Sequence, residues 1–71
     1  MIRVAVTSTS IQAVGYSLPS QTLEIEFVSG GVYRYFNVPE RLHAGLMATA
    51  SHGAYFDEHI KEGGFRFERV G

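Results

Sequence analysis

Two runs of alternating apolar and polar residues, 22–28 and 32–37, predict a β-hairpin at the centre of the chain. Two glycines after Ser29 separate the runs, and Pro39 follows the second run at a position where a helix can begin. Every second position is apolar or aromatic, and these positions are Leu23, Ile25, Phe27, Tyr33 and Tyr35. The pattern indicates a sheet with one face packed against the core.

The length of the hairpin loop decides which side chains share a face of the sheet. A three-residue loop, Ser29 to Gly31, places Phe27 opposite Tyr33 and Glu26 opposite Arg34. A two-residue loop would instead turn Arg34 toward the apolar face, where an unpaired guanidinium costs several kcal/mol. We therefore expect the three-residue loop, with both tyrosines packed inward and the arginine on the open face.

The residues before the hairpin predict two more extended segments. Residues 2–6 alternate in hydrophobicity, which indicates an extended lead-in that can form an edge strand. Residues 10–17 are rich in β-branched and aromatic side chains and predict a strand, in which Gly15 marks a bulge or a close backbone approach. The hairpin then completes an antiparallel meander of three strands.

The residues after the hairpin predict two short helices and a last strand. The first helix follows Pro39, and its apolar face comprises Leu42, Leu46, Met47 and Ala50. Gly45 lies within this helix, where it is expected to let a strand approach closely. The second helix is predicted over 52–62 with Ser51 as its N-cap, and its apolar face comprises Tyr55, Phe56, His59 and Ile60. Residues 65–70 alternate again and predict a strand at the edge of the meander.

These elements together predict an α+β fold: an antiparallel three-stranded meander, two short helices and a final strand, with the helices packed on one face of the sheet. At 71 residues the chain has room for a single domain. Within 1–71, residues 1–7 are expected to be the extended lead-in and residues 8–70 the core. Glu24, Glu26, Arg34 and Phe36 would then occupy the open face.

Charge and composition exclude several classes of protein. The formal net charge is −1 at pH 7, so any site for a polyanion must be a local patch. The chain has no cysteine, which excludes disulfides and thiolate metal sites and fits a reducing compartment. There is no export signal and no apolar run long enough for a membrane span. We expect a cytoplasmic protein that does not contact membranes.

The polar residues do not form a recognisable catalytic or metal-binding motif. His43, His52 and His59 lack the spacing of four residues that places two imidazoles on one helical face. Ser51, His52 and Asp57 are close neighbours along the chain, which rarely converge as a triad, and the serine oxygen is expected to cap a helix. Glu24 and Glu26 should be solvated on the open face. No enzyme activity, metal or cofactor is therefore expected.

The order and spacing of several segments resemble the KTSC domain family over residues 8–70. The segments are Ile11 to Tyr16, Leu23-x-Ile25-x-Phe27, Gly30, Tyr33-Arg34-Tyr35, Val38-Pro39, Ala48 through Ser51-x-Gly53, Tyr55-Phe56 and Ile60-Lys61. The family is named for the C-terminal region of some lysyl-tRNA synthetases and also occurs as small stand-alone proteins of bacteria and phages. The resemblance implies that Tyr33 and Tyr35 are the family's tyrosine motif, and the synthetase association suggests RNA binding.

Two functions are compatible with these features. The first is a small non-catalytic RNA-binding module that uses the open face, with contacts from Arg34, Phe36 and Arg66 and outlying phosphate contacts from Arg41 and Lys61. The alternative is a protein interaction module. It would dock a partner or a second copy through an edge strand or through an apolar patch around Phe36, Val28 and Val32.

Overall fold

Five antiparallel strands form one sheet in the computed structural model, which describes residues 1–71. Each strand pairs with the next in the order β1-β2-β3-β4-β5. The strands are β1 Arg3–Ala5, β2 Ile11–Ser17, β3 Thr22–Phe27, β4 Val32–Tyr35 and β5 Phe67–Arg69. The α+β class with an antiparallel sheet and two helices is confirmed, and the predicted lead-in contributes the edge strand β1.

The hairpin between β3 and β4 has a different register from the predicted one. Glu24 lies opposite Arg34 and Ile25 opposite Tyr33. The amide of Gly30 donates to the carbonyl of Phe27 at 2.9 Å, so the loop lies one residue earlier in the chain than predicted. Gly30 has a φ of 112°, a conformation that favours glycine, and this turn sets the pairing. The predicted pair of Glu26 and Arg34 is therefore wrong.

The register error shifts every cross-strand partner by two positions, and a shift of two keeps each side chain on its predicted face. Leu23 and Ile25 are fully buried, and Tyr35 is 6% exposed. Tyr33 is half-buried and packs against the same core. The inward orientation of the two tyrosines is therefore observed, while Arg34 lies on the other face.

Two helical segments cover the inward face of the sheet. The first, α1, spans Glu40–Ala48. The second begins as α2, His52–Tyr55, and continues as a π-helical turn, Phe56–Ile60, and a 3-10 turn, Lys61–Gly63. Gly64 ends it with a φ of 79°. The core joins strand and helix residues: Ile11, Val14, Leu23, Ile25, Tyr35, Val38, Leu42, Leu46, Phe56 and Ile60.

Three details of the predicted helices are wrong. Ala50 lies beyond the end of α1 and is exposed, and His59 is exposed on the outer side of the second segment. Ser51 occupies the N-cap position but its side chain makes no capping hydrogen bond. His59 lies within the π-helical turn, whose wider spacing departs from the regular helical periodicity on which the prediction relied. The helices are too short and too polar to cross a lipid bilayer.

Gly45 provides space for an aromatic ring from the second helical segment, whereas the sequence predicted space for a strand. A Cβ atom on Gly45 would lie 2.6 Å from Cζ of Tyr55 and closer still to its hydroxyl. The ring of Tyr55 also packs on His59, with 4.3 Å between ring centroids. Gly45 therefore sets how closely the two helical segments approach.

We expect the substitution Gly45→Ala to lower the free energy of unfolding by about 1–2 kcal/mol, because Tyr55 must move out of its packed position. In a Tyr55→Ala background the same substitution should stabilise α1 by up to about 1 kcal/mol, the gain in helix propensity. Chemical denaturation of the unaltered protein and the three variants measures both effects. An equal effect of Gly45→Ala in the two backgrounds would show that Tyr55 is not the obstacle.

Candidate functional site: two clefts on opposite faces of the sheet

A buried carboxylate lies in the middle of the face that the helices leave open. Glu24 is 5% exposed, and its Oε1 accepts a hydrogen bond from Nε of Arg34 at 2.8 Å. Its Oε2 lies 3.4 Å from Nε of Arg3. Arg3 reaches Glu24 across Gly15, where a Cβ atom would come within 3.2 Å of the arginine side chain. The close backbone approach predicted at Gly15 is also observed, because the carbonyl oxygen of Ile2 would lie 3.1 Å from a Cβ atom there.

The ion pairs of Glu24 with Arg3 and Arg34 change the role that was predicted for the open face. Arg34 was expected to be free for a ligand, but it is already paired with Glu24. Glu24 was expected to be solvated, but two guanidinium groups cover it because it lies on a central strand. The second carboxylate, Glu26, is half-buried and lies 3.8 Å from Nη1 of Arg3. The open face is therefore electrically balanced in its centre and is not a positive patch.

One end of the open face contains the larger cleft, of about 560 Å³, which we call the open-face cleft. Its lining is aromatic, apolar and hydroxyl-bearing: Met1, Tyr16, Ser17, Leu18, Pro19, Ser20, Thr22, Arg34 and Phe36. No carboxylate is among these residues. The guanidinium of Arg66 lies 4.5 Å from the ring centroid of Phe36 and outside the lining. The structure thus brings Arg34, Phe36 and Arg66 together.

Tyr16 connects the open-face cleft to the first helix. Its hydroxyl donates a hydrogen bond to the carbonyl of Val38 at 2.6 Å, and its ring stacks on His43 with centroids 4.6 Å apart and an interplanar angle of 8°. Burial raises the pKa of Tyr16, and the charge of Glu40 raises it further. Burial also lowers the pKa of His43, against the opposing effect of Glu40. Both rings are therefore held in their neutral forms.

A second cleft, of about 360 Å³, lies between the sheet and the second helical segment, and we call it the aromatic cleft. Five rings line it together with two charged residues: Phe27, Tyr33, Tyr35, Phe56, Phe67, Asp57 and Lys61. Burial, with a smaller contribution from Tyr33, raises the pKa of Tyr35, so its phenol stays neutral. The tyrosines of the predicted family motif thus belong to this cleft.

The two outlying cations of the sequence hypothesis lie elsewhere. Lys61 lines the aromatic cleft, on the other face of the sheet from Arg34. Arg41 is exposed on α1 and lines neither cleft. Sequence reasoning missed the aromatic cleft because it packed Tyr33 and Tyr35 under the helices, with only their hydroxyls reaching the rim. The alternation that includes Phe67 in the last strand was the available signal, since β5 pairs with β4 and brings Phe67 opposite Tyr35.

The three histidines make three separate local contacts. The Nδ1–H of His52 donates to the carbonyl of Leu46 at 2.8 Å, which ties α2 to the end of α1. His59 lies 3.8 Å from a carboxylate oxygen of Glu58, and His43 stacks on Tyr16. No three side chains of the metal-ligating types come together. The histidines therefore act as packing and bonding groups in this fold.

Comparison with known proteins finds one family across most of the chain. The family model of the KTSC domain matches residues 7–65. A crystal structure of a KTSC domain protein from Yersinia pestis superposes with a TM-score of 0.93 and 38% sequence identity, covering 99% of this chain and 97% of that one. The family resemblance of the sequence is confirmed.

Two relatives differ in their size. An uncharacterized protein of Stutzerimonas stutzeri is 39% identical over 70 residues, and the match covers 99% of each chain. The lysine–tRNA ligase of Nostoc punctiforme is 43% identical over 60 residues, which are 84% of this chain and 10% of the ligase. The same domain therefore occurs in a protein of similar length and as a small part of a much longer enzyme.

We expect Arg34→Ala to lower the free energy of unfolding by about 1–2 kcal/mol, because Glu24 keeps its burial and loses a charged partner. The same substitution in a Glu24→Gln background should cost less than about 0.5 kcal/mol. Denaturation of the four proteins measures the coupling, and Arg41→Ala is the matched control for removal of an unpaired surface arginine. Equal losses in both backgrounds would show that the pair contributes nothing to stability.

The stability of the fold should decrease as the pH falls below about 6.5, the ordinary pKa of histidine. His43 binds a proton less readily when folded than when unfolded, so acid favours the unfolded chain. The substitution His43→Phe keeps a ring on Tyr16 and removes the titration. Thermal melts between about pH 7.5 and 5.5 should therefore show a flatter profile for this variant, and an unchanged slope would contradict the assignment.

Proposed function

This chain belongs to the KTSC domain family, and on that premise we propose that it is a small non-catalytic module that binds single-stranded RNA in the open-face cleft. The observation that carries the proposal is the position of Phe36. One face of its ring is covered by Arg66, and the ring also lines the cleft. An aromatic ring that is available in a groove beside arginines is a stacking platform for a base.

Stacking on Phe36 supplies the affinity that a weakly charged protein needs. A base stacked on an aromatic side chain contributes about 1–3 kcal/mol, and the contribution depends little on sequence. Arg66 strengthens the platform, because a guanidinium held 4.5 Å from the ring is within cation–π distance and keeps its donors at the rim. The pair is therefore suited to hold a base and the phosphate next to it.

The charges around the open-face cleft favour phosphate locally, although the net charge of the chain is −1. The lining contains no carboxylate, and the nearby Glu24 is neutralised by Arg3 and Arg34. Arg34 uses Nε for Glu24 while 43% of its side chain remains exposed, so its Nη groups can donate to a phosphate. Arg41 and Lys61 would act only as distant contacts, so the salt dependence should be modest.

Hydroxyl groups in the cleft support RNA as the nucleic acid. Ser17, Ser20 and Thr22 contribute three hydroxyls to the lining, and the Ser20 hydroxyl donates to that of Thr22 at 3.0 Å. The 2′-hydroxyl of ribose is both a donor and an acceptor and distinguishes RNA from DNA. The occurrence of a related domain within a lysine–tRNA ligase also supports RNA as the ligand. The lining has no histidine or carboxylate to act as general base, which supports binding without catalysis.

A second candidate function is the docking of a partner strand or a second copy along β1. Val4 on this edge strand is 54% exposed and Ile2, directly before the strand, is 87% exposed, and such an edge can pair with another strand. The apolar patch suggested by the sequence does not assemble, because Val28 and Val32 lie at the hairpin turn and Phe36 lies beyond the other end of β4. Edge pairing is therefore the form that this alternative takes.

We expect the protein to bind a fluorescent single-stranded oligouridine at low salt and Phe36→Ala to weaken binding roughly 5- to 150-fold, the loss of one stacked base. Arg66→Gln should weaken binding and reduce its salt dependence. Phe67→Ala, which removes a ring from the other cleft, is the matched control. Arg34 is unsuitable for this test because its removal also disturbs Glu24.

The competing outcomes are distinct. Absence of binding at low salt, or unchanged binding by Phe36→Ala, would overturn the RNA proposal. Self-association seen by sedimentation and abolished by Val4→Lys, together with no RNA binding, would instead favour pairing along the β1 edge.

A further inference from the structure

We propose that the aromatic cleft binds the trimethylammonium group of a small molecule of the choline type. This site lies on the opposite face of the sheet from the open-face cleft and does not depend on RNA binding. Lys61 is the only residue that has a role in both proposals. The inference rests on the arrangement of the rings, on the charges at the rim and on the size of the cleft.

The five rings of the aromatic cleft form a closed cycle. Going round the cycle, the ring centroids are 5.7 Å apart for Phe27 and Tyr33, 6.2 Å for Tyr33 and Phe67, and 5.4 Å for Phe67 and Tyr35. The cycle closes through Phe56, which lies 5.5 Å from Tyr35 and 5.4 Å from Phe27. β3, β4, β5 and the π-helical turn contribute these rings. Residues distant in sequence therefore surround one space with aromatic groups.

The angles between the rings favour a rounded cation over a flat ligand. Neighbouring rings meet at 30° to 78°, and no neighbouring pair is parallel. A base or another flat ring gains most from a parallel face on which it can stack. A trimethylammonium group is nearly spherical and can contact several inclined faces at once. Aromatic cages bind such quaternary cations through the negative potential of the ring faces.

The charged residues at the rim include a partner for a cation. The carboxylate of Asp57 belongs to the lining and makes no ion pair with Lys61, which lies one turn further along. Lys61 has a long flexible side chain that can keep its ammonium in water. Outside the lining, the guanidinium of Arg69 lies 5.9 Å from the ring centroid of Tyr33, which is within the range of a cation–π contact.

The cleft has the size and access that a small headgroup requires. Its volume of about 360 Å³ is at the lower end of the range of small-molecule sites. Phe67 is 57% exposed and forms an open side, while Tyr35 and Phe56 form a floor that is 6% and 5% exposed. A headgroup can enter without unfolding the core, and the rest of the ligand would remain in solvent.

Titration with choline, followed by NMR chemical shifts of the aromatic protons of the full chain, tests the proposal. We expect saturable shifts at Tyr33 and Phe67 and weaker binding, by roughly three- to tenfold, of the uncharged isostere in which carbon replaces the nitrogen. Equal or tighter binding of the isostere would overturn the proposal, because the cleft would then be only an apolar pocket. Absence of saturable shifts would overturn it as well.

Substitutions test which rings contact the cation and whether the charges at the rim favour or oppose its binding. Phe67→Leu keeps an exposed apolar side chain but removes a ring face, so we expect choline affinity to fall roughly three- to tenfold. Asp57→Asn should weaken choline binding about two- to fivefold, whereas Lys61→Ala should strengthen it by a similar factor. Phe36→Leu, in the other cleft, is the matched control and should bind choline like the unaltered protein.

Two results with these variants would contradict the assignment. If Asp57→Asn strengthens binding and Lys61→Ala weakens it, the site recognises an anion and not a quaternary ammonium. If Phe36→Leu weakens choline binding while Phe67→Leu does not, the cation binds in the other cleft. Neither result bears on the affinity for RNA, so the two proposals fail separately.

Discussion

The left-handed turn at Gly30 is the constraint on which the two faces of this protein depend. It sets the pairing of β3 with β4, and that pairing places Glu24 beside Arg34 and Ile25 beside Tyr33. The side chains of β4 then divide between the faces, with Arg34 on one side and the tyrosines on the other. A shift of one residue would exchange them and place a guanidinium under the helices, which is energetically prohibitive.

A buried carboxylate between two arginines gives the open face its electrical character. Glu24 loses nearly all its solvent contact because it lies on β3, which has a strand on each side, and the arginines come from strands on both sides. Gly15 favours the arrangement, since a Cβ atom there would lie 3.2 Å from Cγ of Arg3 and would crowd its side chain. Under the RNA proposal, the neutralised centre leaves the affinity to the aromatic ring and the arginine at the end of the sheet. Stacking and shape should therefore matter more for this domain than a strong positive field.

Much of the fold could be predicted from periodicity, because the apolar residues that a strand or a helix buries recur at the spacing of that element. Leu23, Ile25 and Tyr35 face the helices as predicted. The cross-strand partners could not be predicted, because Gly30 and Gly31 both permit a turn and only the backbone geometry selects one. The pairing of Arg34 with Glu24 follows from that choice. The alternation at Phe67 was a signal for one wall of the aromatic cleft, but the cleft joins rings from four elements, and their convergence depends on packing and not on spacing along the chain.

The π-helical turn, Phe56–Ile60, bears on how this small domain responds to changes in its length. Phe56 and Ile60 both reach the core, where they are 5% and 0% exposed, while Asp57 within the turn and Lys61 directly after it line the aromatic cleft. A π-helical turn contains one more residue than an α-helical turn. Loss of one exposed residue such as Glu58 would therefore return the turn to α geometry and leave the later side chains near their present faces, whereas the same loss in a regular helix rotates them by about 100°. The widened turn is thus the point in the second helical segment where the chain can change its length with the least effect on the core.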